Sequence, residues 1–380
     1  MKKAHPKIIF ISLCPFGTVG YTGSFMISTI VSKRDYETYL IINDAVIENL
    51  EITLNIKDEF KEVINLQKEK TLLQNILQIL NEIKRIKPDI VHVFYHSKGF
   101  LIPTIWNLKN PFSKYPKWLI DIRSQAVLDK KRSFYKKLLD PLKQIGFDII
   151  SAQEFSSAKS QLGTTLKPVF EVPPGVNFNY FKKPDYSKQP SIIKCKKLLY
   201  VGAITKTRKI DFLVNIIANV KSKLPPSENF VLDLYGDGDL VDNLKIQIKD
   251  LGLEDVVFYK GVITQEELFK KMANYDLGLA FVPYDQFYNA PPLKTLEYMA
   301  ADMFVIGSDT AGNMLYVTHD KSGILVKNEI EAMGIEILNA VITGLPLVYK
   351  QNAYLAAKEY DWDNLIDTKL IPNYKKLLEK

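Results

Sequence analysis

The chain reads as an α/β protein of two domains, each a doubly wound parallel sheet. Three observations predict this. Its 380 residues are 47% hydrophobic and 24% charged, enough for two packed cores and unlike a disordered composition. Short apolar runs alternate with helical stretches along most of the length, the pattern of parallel strands joined by crossover helices. A polar stretch from Lys182 to Ser191 has a linker's composition and puts the domain boundary at 182/183.

The opening MKKAHPKIIFISLC has the basic head and apolar run of a signal peptide. Its apolar core, Ile8 to Cys14, is short and leads into proline and glycine, so it reads as the first strand. No stretch approaches the roughly 18 apolar residues of a membrane helix, and a soluble or peripheral protein is expected. Cys14 and Cys195 have no metal-type spacing, which points to structural thiols in a reduced compartment and to no zinc site.

The net charge of +7 is uneven. Residues 1–190 hold 28 Lys and Arg against 18 Asp and Glu, whereas the remainder holds 22 against 25. Basic residues gather between Lys109 and Lys143 among Phe112, Tyr115, Trp118, Phe134 and Tyr135. No recognition motif for nucleic acid accompanies them, and none is expected as a partner. The stretch suits an anionic membrane surface or an acidic, lipid-linked acceptor, and equally a solvated charged face.

In chain order, the glycine-rich segment Gly17, Gly20, Gly23 follows the first strand and precedes a helix from Ser24 to Val31. It lets backbone approach a phosphate but does not match the dinucleotide fingerprint. Tyr36 to Asn43 is a strand, and Lys70 to Lys87 an amphipathic helix whose expected buried stripe is Leu72, Leu73, Ile76, Leu77, Leu80 and Ile83. Pro88 to His96 is a strand. Strand ends in open α/β sheets face the ligand crevice, so His92 or His96 is a candidate acceptor contact, or else a satisfied core histidine. In the strand Trp118 to Ser124, Asp121 and Arg123 alternate onto one face, where they form a buried ion pair or reach a sugar or phosphate oxygen. Strands follow at Asp148 to Ser151 and at Val169 to Val176.

The second half opens with the strand Lys197 to Gly202, then a basic loop, Thr205-Lys206-Thr207-Arg208-Lys209, ahead of a helix from Asp211 to Lys221. Cations at a strand-to-helix turn suit a diphosphate leaving group, or are solvated. Further strands run Asn229 to Gly236, Val256 to Gly261 and Leu277 to Val282, with helices Leu244 to Leu251 and Gln265 to Ala273 between them. The stretch NAPPLKTLEYMAADMFVIGSD, Asn289 to Asp309, then starts a helix abruptly at Pro291-Pro292 and ends in an apolar strand, Met303 to Gly307. Its helix tip offers unpaired N–H groups beside Lys294 and Glu297. Taken alone, those two also fit an ordinary i,i+3 surface pair contributing ~0.2–0.5 kcal/mol.

Pro292, Lys294, Glu297, Tyr298 and Ala300 resemble the Pro-x-Lys-x-x-Glu-Tyr-x-Ala variant of the nucleotide-sugar signature in glycosyltransferase family 4, the group 1 retaining enzymes. Asn289 stands where the commoner signature has a first glutamate. Pro173-Pro174-Gly175-Val176 with Phe181, Gly202 with its basic loop, Gly236, Gly261 and Trp362 follow in the family's order, with Ala203 in place of an arginine and Arg123 in place of a histidine.

The resemblance implies the GT-B fold, two Rossmann-like domains facing across a cleft: residues 1–182 on the acceptor side, 183–364 for the nucleotide sugar, and 365–380 a terminal helix packing back on the first domain. It implies Arg208, Lys209, Lys294 and Glu297 as catalytic. Donor binding falls to Gly20, Gly23, Gly202, Gly236, Gly261, Val262, Asn289, Pro292 and Leu293, and acceptor or sugar contacts to His96, Asp121 and Arg123. The implied activity is retaining sugar transfer from a nucleotide diphosphate sugar to a glycan or lipid-linked acceptor in polysaccharide or glycoconjugate synthesis. No cofactor and no metal are expected, and the expected location is cytoplasmic, including the cytoplasmic membrane face. A nucleotide-sugar 2-epimerase and a non-catalytic nucleotide-sugar-binding protein share the architecture and remain alternatives.

Overall fold

A computed structural model describes residues 5–13, 22–43, 58–67, 69–123 and 140–379. The chain forms two compact units, one of Met1–Pro174 with Trp362–Lys380 and the other of Gly175–Asp361.

The first unit contains β1 (Lys7–Ser12), α1 (Thr22–Ser32), β2 (Glu37–Asn43), β3 (Glu62–Leu66), α2 (Leu72–Ile86), β4 (Ile90–Phe94), α3 (Leu101–Lys109), β5 (Lys117–Ile122), β6 (Ile149–Ala152), α4 (Phe155–Leu162) and β7 (Val169–Glu171). Among the described residues its sheet is parallel throughout, in the order β3-β2-β1-β4-β5-β6-β7. The order reverses beside β1, so the carboxyl ends of β1 and β4 diverge at a topological switch point, where open sheets hold ligands.

The unbroken apolar run of β1 follows from burial on both faces. Ile8 and Phe10 pack with Met26, Ile27 and Ile30 of α1, while Ile9 and Ile11 pack with Ile76, Ile79, Leu80 and Ile83 of α2. A capping box between Thr71 and Gln74 starts α2, and Lys87 ends it in the left-handed region. The expected α2 stripe needs correction: Leu73 and Leu77 are exposed, and Ile79 and Ile86 take the core positions. Leucine recurs at helical spacing on both faces, so periodicity alone did not separate them.

The second unit begins with β8 (Ile192–Ile193), β9 (Lys197–Val201), α5 (Ile210–Lys223), β10 (Val231–Tyr235), α6 (Val241–Asp250), β11 (Val257–Gly261), α7 (Gln265–Met272) and β12 (Leu277–Ala280). It continues with α8 (Tyr284–Phe287), α9 (Leu293–Ala300), β13 (Phe304–Ser308), α10 (Ala311–Met314), β14 (Ile324–Val326), α11 (Ile330–Ile342), β15 (Leu345–Pro346) and α12 (Leu347–Lys358). Its main sheet is again parallel, in the order β11-β10-β9-β12-β13-β14, and β15 pairs antiparallel with β8. Here the order reverses between β9 and β12.

The boundary expected at 182/183 lies inside this unit. Phe178 and Phe181 are the reason: they pack against the cluster holding Phe269, Leu296 and Met299, so burial draws the chain from Gly175 onward into the second core.

The chain ends in the first unit with α13 (Trp362–Leu365), a π turn (Ile366–Leu370) and α14 (Ile371–Leu378). Pro372 has no N–H for the α ladder, which accounts for the widened turn before it. Trp362, Ile366, Leu370 and Tyr374 join the cluster around Ile8 and Phe10, and Arg34 holds the same face through Asp363 at 2.6 Å and Asp367 at 2.8 Å. No helix among the described residues is long and apolar enough to cross a membrane.

Candidate active site

The carboxyl ends of β9, β10 and β11 form one glycine rim. β9 exits through Gly202 and β10 through Gly236, where a Cβ on Gly236 would lie 1.9 Å from the Gly202 carbonyl oxygen. Gly236 also has φ 145°, which favours glycine. The Gly236 N–H donates to the Gly261 carbonyl at 2.9 Å, and Gly261, with φ 75°, turns the chain out to the exposed Val262. Gly202, Gly236, Gly261 and Val262 are thus brought together, with glycine required at Gly236 by the close approach of the strand exits and favoured at Gly261 by its positive φ.

Beside that rim, residues 206–208 form a single 3-10 turn and Lys209, at φ 51°, leads into α5. The reversal at Lys209 sends the two neighbouring cations to different partners. Arg208 is half-buried with its guanidinium 3.6 Å from the centroid of the Phe287 ring, a cation–π stack, and burial lowers its pKa. Lys209 reaches Asp285 at 2.6 Å on the exposed surface, so its charge is already compensated.

Lys294 and Glu297 do not pair with each other. The Lys294 ammonium donates to the Phe281 carbonyl at the end of β12, at 2.8 Å, and lies 4.0 Å from the centroid of the Tyr200 ring. Burial pushes its pKa well below the ordinary lysine value, and the positive charge of Arg208 pushes it further. Neither cation forms an ion pair with a carboxylate among the described residues. Glu297, one turn along α9, has its carboxyl raised to about 7 by burial, against a smaller opposing effect from the Gln265 amide 3.5 Å away.

Besides Pro292 and Tyr298, the start of α9 is fixed by Thr295, Gly312 and Asn313, which the local sequence pattern does not single out. Pro292 precedes it in an extended conformation with no side-chain cap. Thr295 donates to Asn313 at 2.7 Å, and the Asn313 amide donates to the carbonyls of Ala280 at 2.9 Å and Ser308 at 2.8 Å, all buried. One asparagine therefore ties the helix to the exits of β12 and β13. Gly312 brings α10 against the same turn, since a Cβ there would meet the Ala290 carbonyl oxygen at 2.2 Å. The Tyr298 hydroxyl accepts from the Val201 N–H at 2.9 Å. Asn289 is exposed, while Pro292 and Leu293 are half-buried at the helix start.

In the first unit, Gly23 lies in the first turn of α1, and Gly20 lies outside the described residues, as do residues 124–139 of the basic aromatic stretch. Asp121 is fully buried, which fits the buried ion pair rather than the acceptor contact among the two readings of the sequence. It holds Arg123 through two hydrogen bonds of 2.8 and 2.7 Å, and Arg123 also donates to the Val172 carbonyl and to Ser151. Burial works to raise the Asp121 pKa, but the Arg123 charge and His92 outweigh it and hold the carboxylate low. Arg123 is therefore engaged within the unit rather than extended toward a ligand. His92 is a core residue, whereas His96 lines a cavity of about 230 Å³ with Asn43, Lys70 and Asn75. Burial and Lys98 lower the His96 pKa.

Two doubly wound parallel sheets joined in this order make up the GT-B fold. Solved structures agree over nearly all of the chain: Anabaena HepE in complex with UDP and glucose (16% identity, TM-score 0.72, 98% of this chain and 100% of that one), a glycosyltransferase from Rickettsia africae ESF-5 (16%, 0.73, 99% and 99%), and sucrose-phosphate synthase from Thermosynechococcus elongatus (16%, 0.71, 98% and 99%). At such identity the likeness is one of fold. No curated protein matches the chain in sequence. Residues 195–343, which lie within the second unit, match the family described as Glycosyl transferases group 1.

The raised Glu297 pKa has a signed consequence. Between an ordinary carboxyl pKa of 4.5 and about 7, the native state keeps a proton that the unfolded chain has lost, so stability falls as pH rises through that window. Glu297→Gln removes this term, and its Tm is expected to gain on that of the wild type between about pH 5 and about pH 8. A Tm offset that is the same at both pH values would contradict the assignment.

Proposed function

We propose that the protein transfers a glycosyl group, with retention of anomeric configuration, from a nucleotide diphosphate sugar to a hydroxyl of a glycan or lipid-linked acceptor. The observation that carries this reading is the pair Arg208 and Lys294, two partly buried cations within electrostatic reach of each other, both unpaired with carboxylates among the described residues. A diphosphate is the ligand that relieves such a pair. HepE was solved with UDP-glucose, and the pneumococcal O-GlcNAc transferase GtfA with UDP and GlcNAc, which supports a nucleotide-sugar donor here.

In the proposed reaction the bond from the anomeric carbon to the diphosphate oxygen breaks, with its electron pair going to that oxygen. Arg208 and Lys294 stabilise the negative charge as it develops. The acceptor oxygen bonds to the same carbon, and its proton passes to the departing diphosphate. The Gly202, Gly236 and Gly261 rim gives backbone access to the nucleotide, and Glu297 accepts hydrogen bonds from ribose hydroxyls. With two side-chain cations meeting the leaving group, the reaction we propose needs no metal.

For location, the reading is a cytoplasmic protein that visits the cytoplasmic membrane face. Its described support is Leu108 and the almost fully exposed Phe112, set among Lys109, Lys114 and Lys117. Replacing Phe112 and Lys114 by serine is expected to reduce cosedimentation with anionic phosphatidylglycerol vesicles, and undiminished binding would count against a membrane role.

The donor site is tested by titrating UDP into the apo protein and reading the thermal shift. Stabilisation by mass action is expected in the wild type and in Lys209→Met, and loss of most of it in Arg208→Met and in Lys294→Met. Each lost charge-assisted contact is worth about 1.5–3 kcal/mol, or roughly 10- to 150-fold in affinity. Equal UDP affinity in all four proteins would remove the proposed site.

A further inference from the structure

The first unit contains a buried polar chain that the proposed reaction does not use. Tyr374 on α14, His92 on β4 and Asp121 on β5 are all fully buried. The Tyr374 hydroxyl lies 2.6 Å from His92 Nδ1, and His92 Nε2 faces Asp121 Oδ2 at 3.3 Å without an aligned hydrogen bond. A neutral imidazole protonated on Nε2 and accepting from Tyr374 on Nδ1 satisfies this order. Phe10 and Phe94 flank the imidazole, with ring centroids 5.1 and 4.7 Å away, and exclude water from it. Asp121 then grips Arg123 by the fork already described, which leaves the guanidinium about one N–H of its five.

Such a chain is a poor source of stability. Desolvating the ions offsets most of their attraction, and apolar side chains of the same volume would pack as well. What it does supply is direction. Arg123 stands just past the carboxyl end of β5, and its Cδ lies 3.1 Å from where a Cβ on Gly23 would be, so the glycine at the start of α1 rests on the arginine side chain. That end of an open parallel sheet, next to a helix N-terminus, is where ligands are met.

We infer that Arg123 is a positioning residue that sets the first turn of α1, and that Tyr374 sets Arg123 through His92 and Asp121. The terminal segment thereby acts on the ligand-facing end of the first unit from the middle of its core. The effect on turnover rests on the glycosyl-transfer reading above, while the effect on α1 does not.

Tyr374→Phe keeps the aromatic packing and removes the hydroxyl, and Arg123→Lys removes the fork. Both are made in the full chain, with Tm measured to count folded molecules. Each variant is expected to lose about tenfold in kcat/KM for the nucleotide sugar, with the double variant no worse than the poorer single one, because the residues act as one unit. Amide hydrogen exchange at residues 23–26 is expected to quicken in both, while exchange in β1 and β4 stays unchanged. Wild-type turnover per folded molecule in either variant, or losses that multiply in the double variant, would overturn the inference. Should the wild type itself transfer no sugar, the donor reading fails instead, and exchange decides: unaltered rates at residues 23–26 would overturn the coupling.

Discussion

Two positive side chains held near each other, with no carboxylate partner among the described residues, are the constraint on which the second unit depends. Folding Arg208 beside Lys294 opposes both charges: burial depresses each, and the arginine depresses the lysine further. The fold tolerates this by giving each cation a neutral partner, the Phe287 ring for one and the Tyr200 ring with the Phe281 carbonyl for the other. Carboxylates would have stabilised the apo protein more. Their place is taken by π faces and a carbonyl, which hold the side chains in position and leave their charge available to an anion.

The scaffold around the pair follows from the same need. Close approach of the β9 and β10 exits requires glycine at Gly236, and it clears side chains from the surface that a nucleotide would cover. Asn313 fastens α9 to two strand ends, so Lys294 and Glu297 project from a fixed helix start rather than from a loop. Rigid placement of donors before charge develops is what makes electrostatic stabilisation effective. In the first unit a different device, the Tyr374 to Arg123 chain, holds the start of α1.

Much of this was legible in the residues. Glycine and proline punctuate the strand exits, so most elements and the helix after Pro292 were placed to within a few residues. Asp121 and Arg123, two apart on a strand, had to share a face, and they form the ion pair that was one of the two readings. Other features depend on burial, which a local pattern does not encode. Leu73 and Leu77 have the spacing of a core stripe but face solvent. Arg208 and Lys209 are adjacent and chemically alike, and only the backbone reversal at Lys209 sends one into the site and the other to Asp285. Thr295 and Asn313 lie far enough apart in sequence that no periodicity links them, and the second domain starts early because two phenylalanines find its core.

The central claim is that burial and the nearby Arg208 lower the Lys294 pKa in the free protein, and that a bound diphosphate raises it again. Observing the Lys294 ammonium by ¹⁵N NMR through a pH titration, with and without UDP, measures this directly. The account predicts a pKa well below that of the other lysines in the free protein and a marked rise on binding. An ordinary lysine pKa in the free protein, unmoved by UDP, would contradict it.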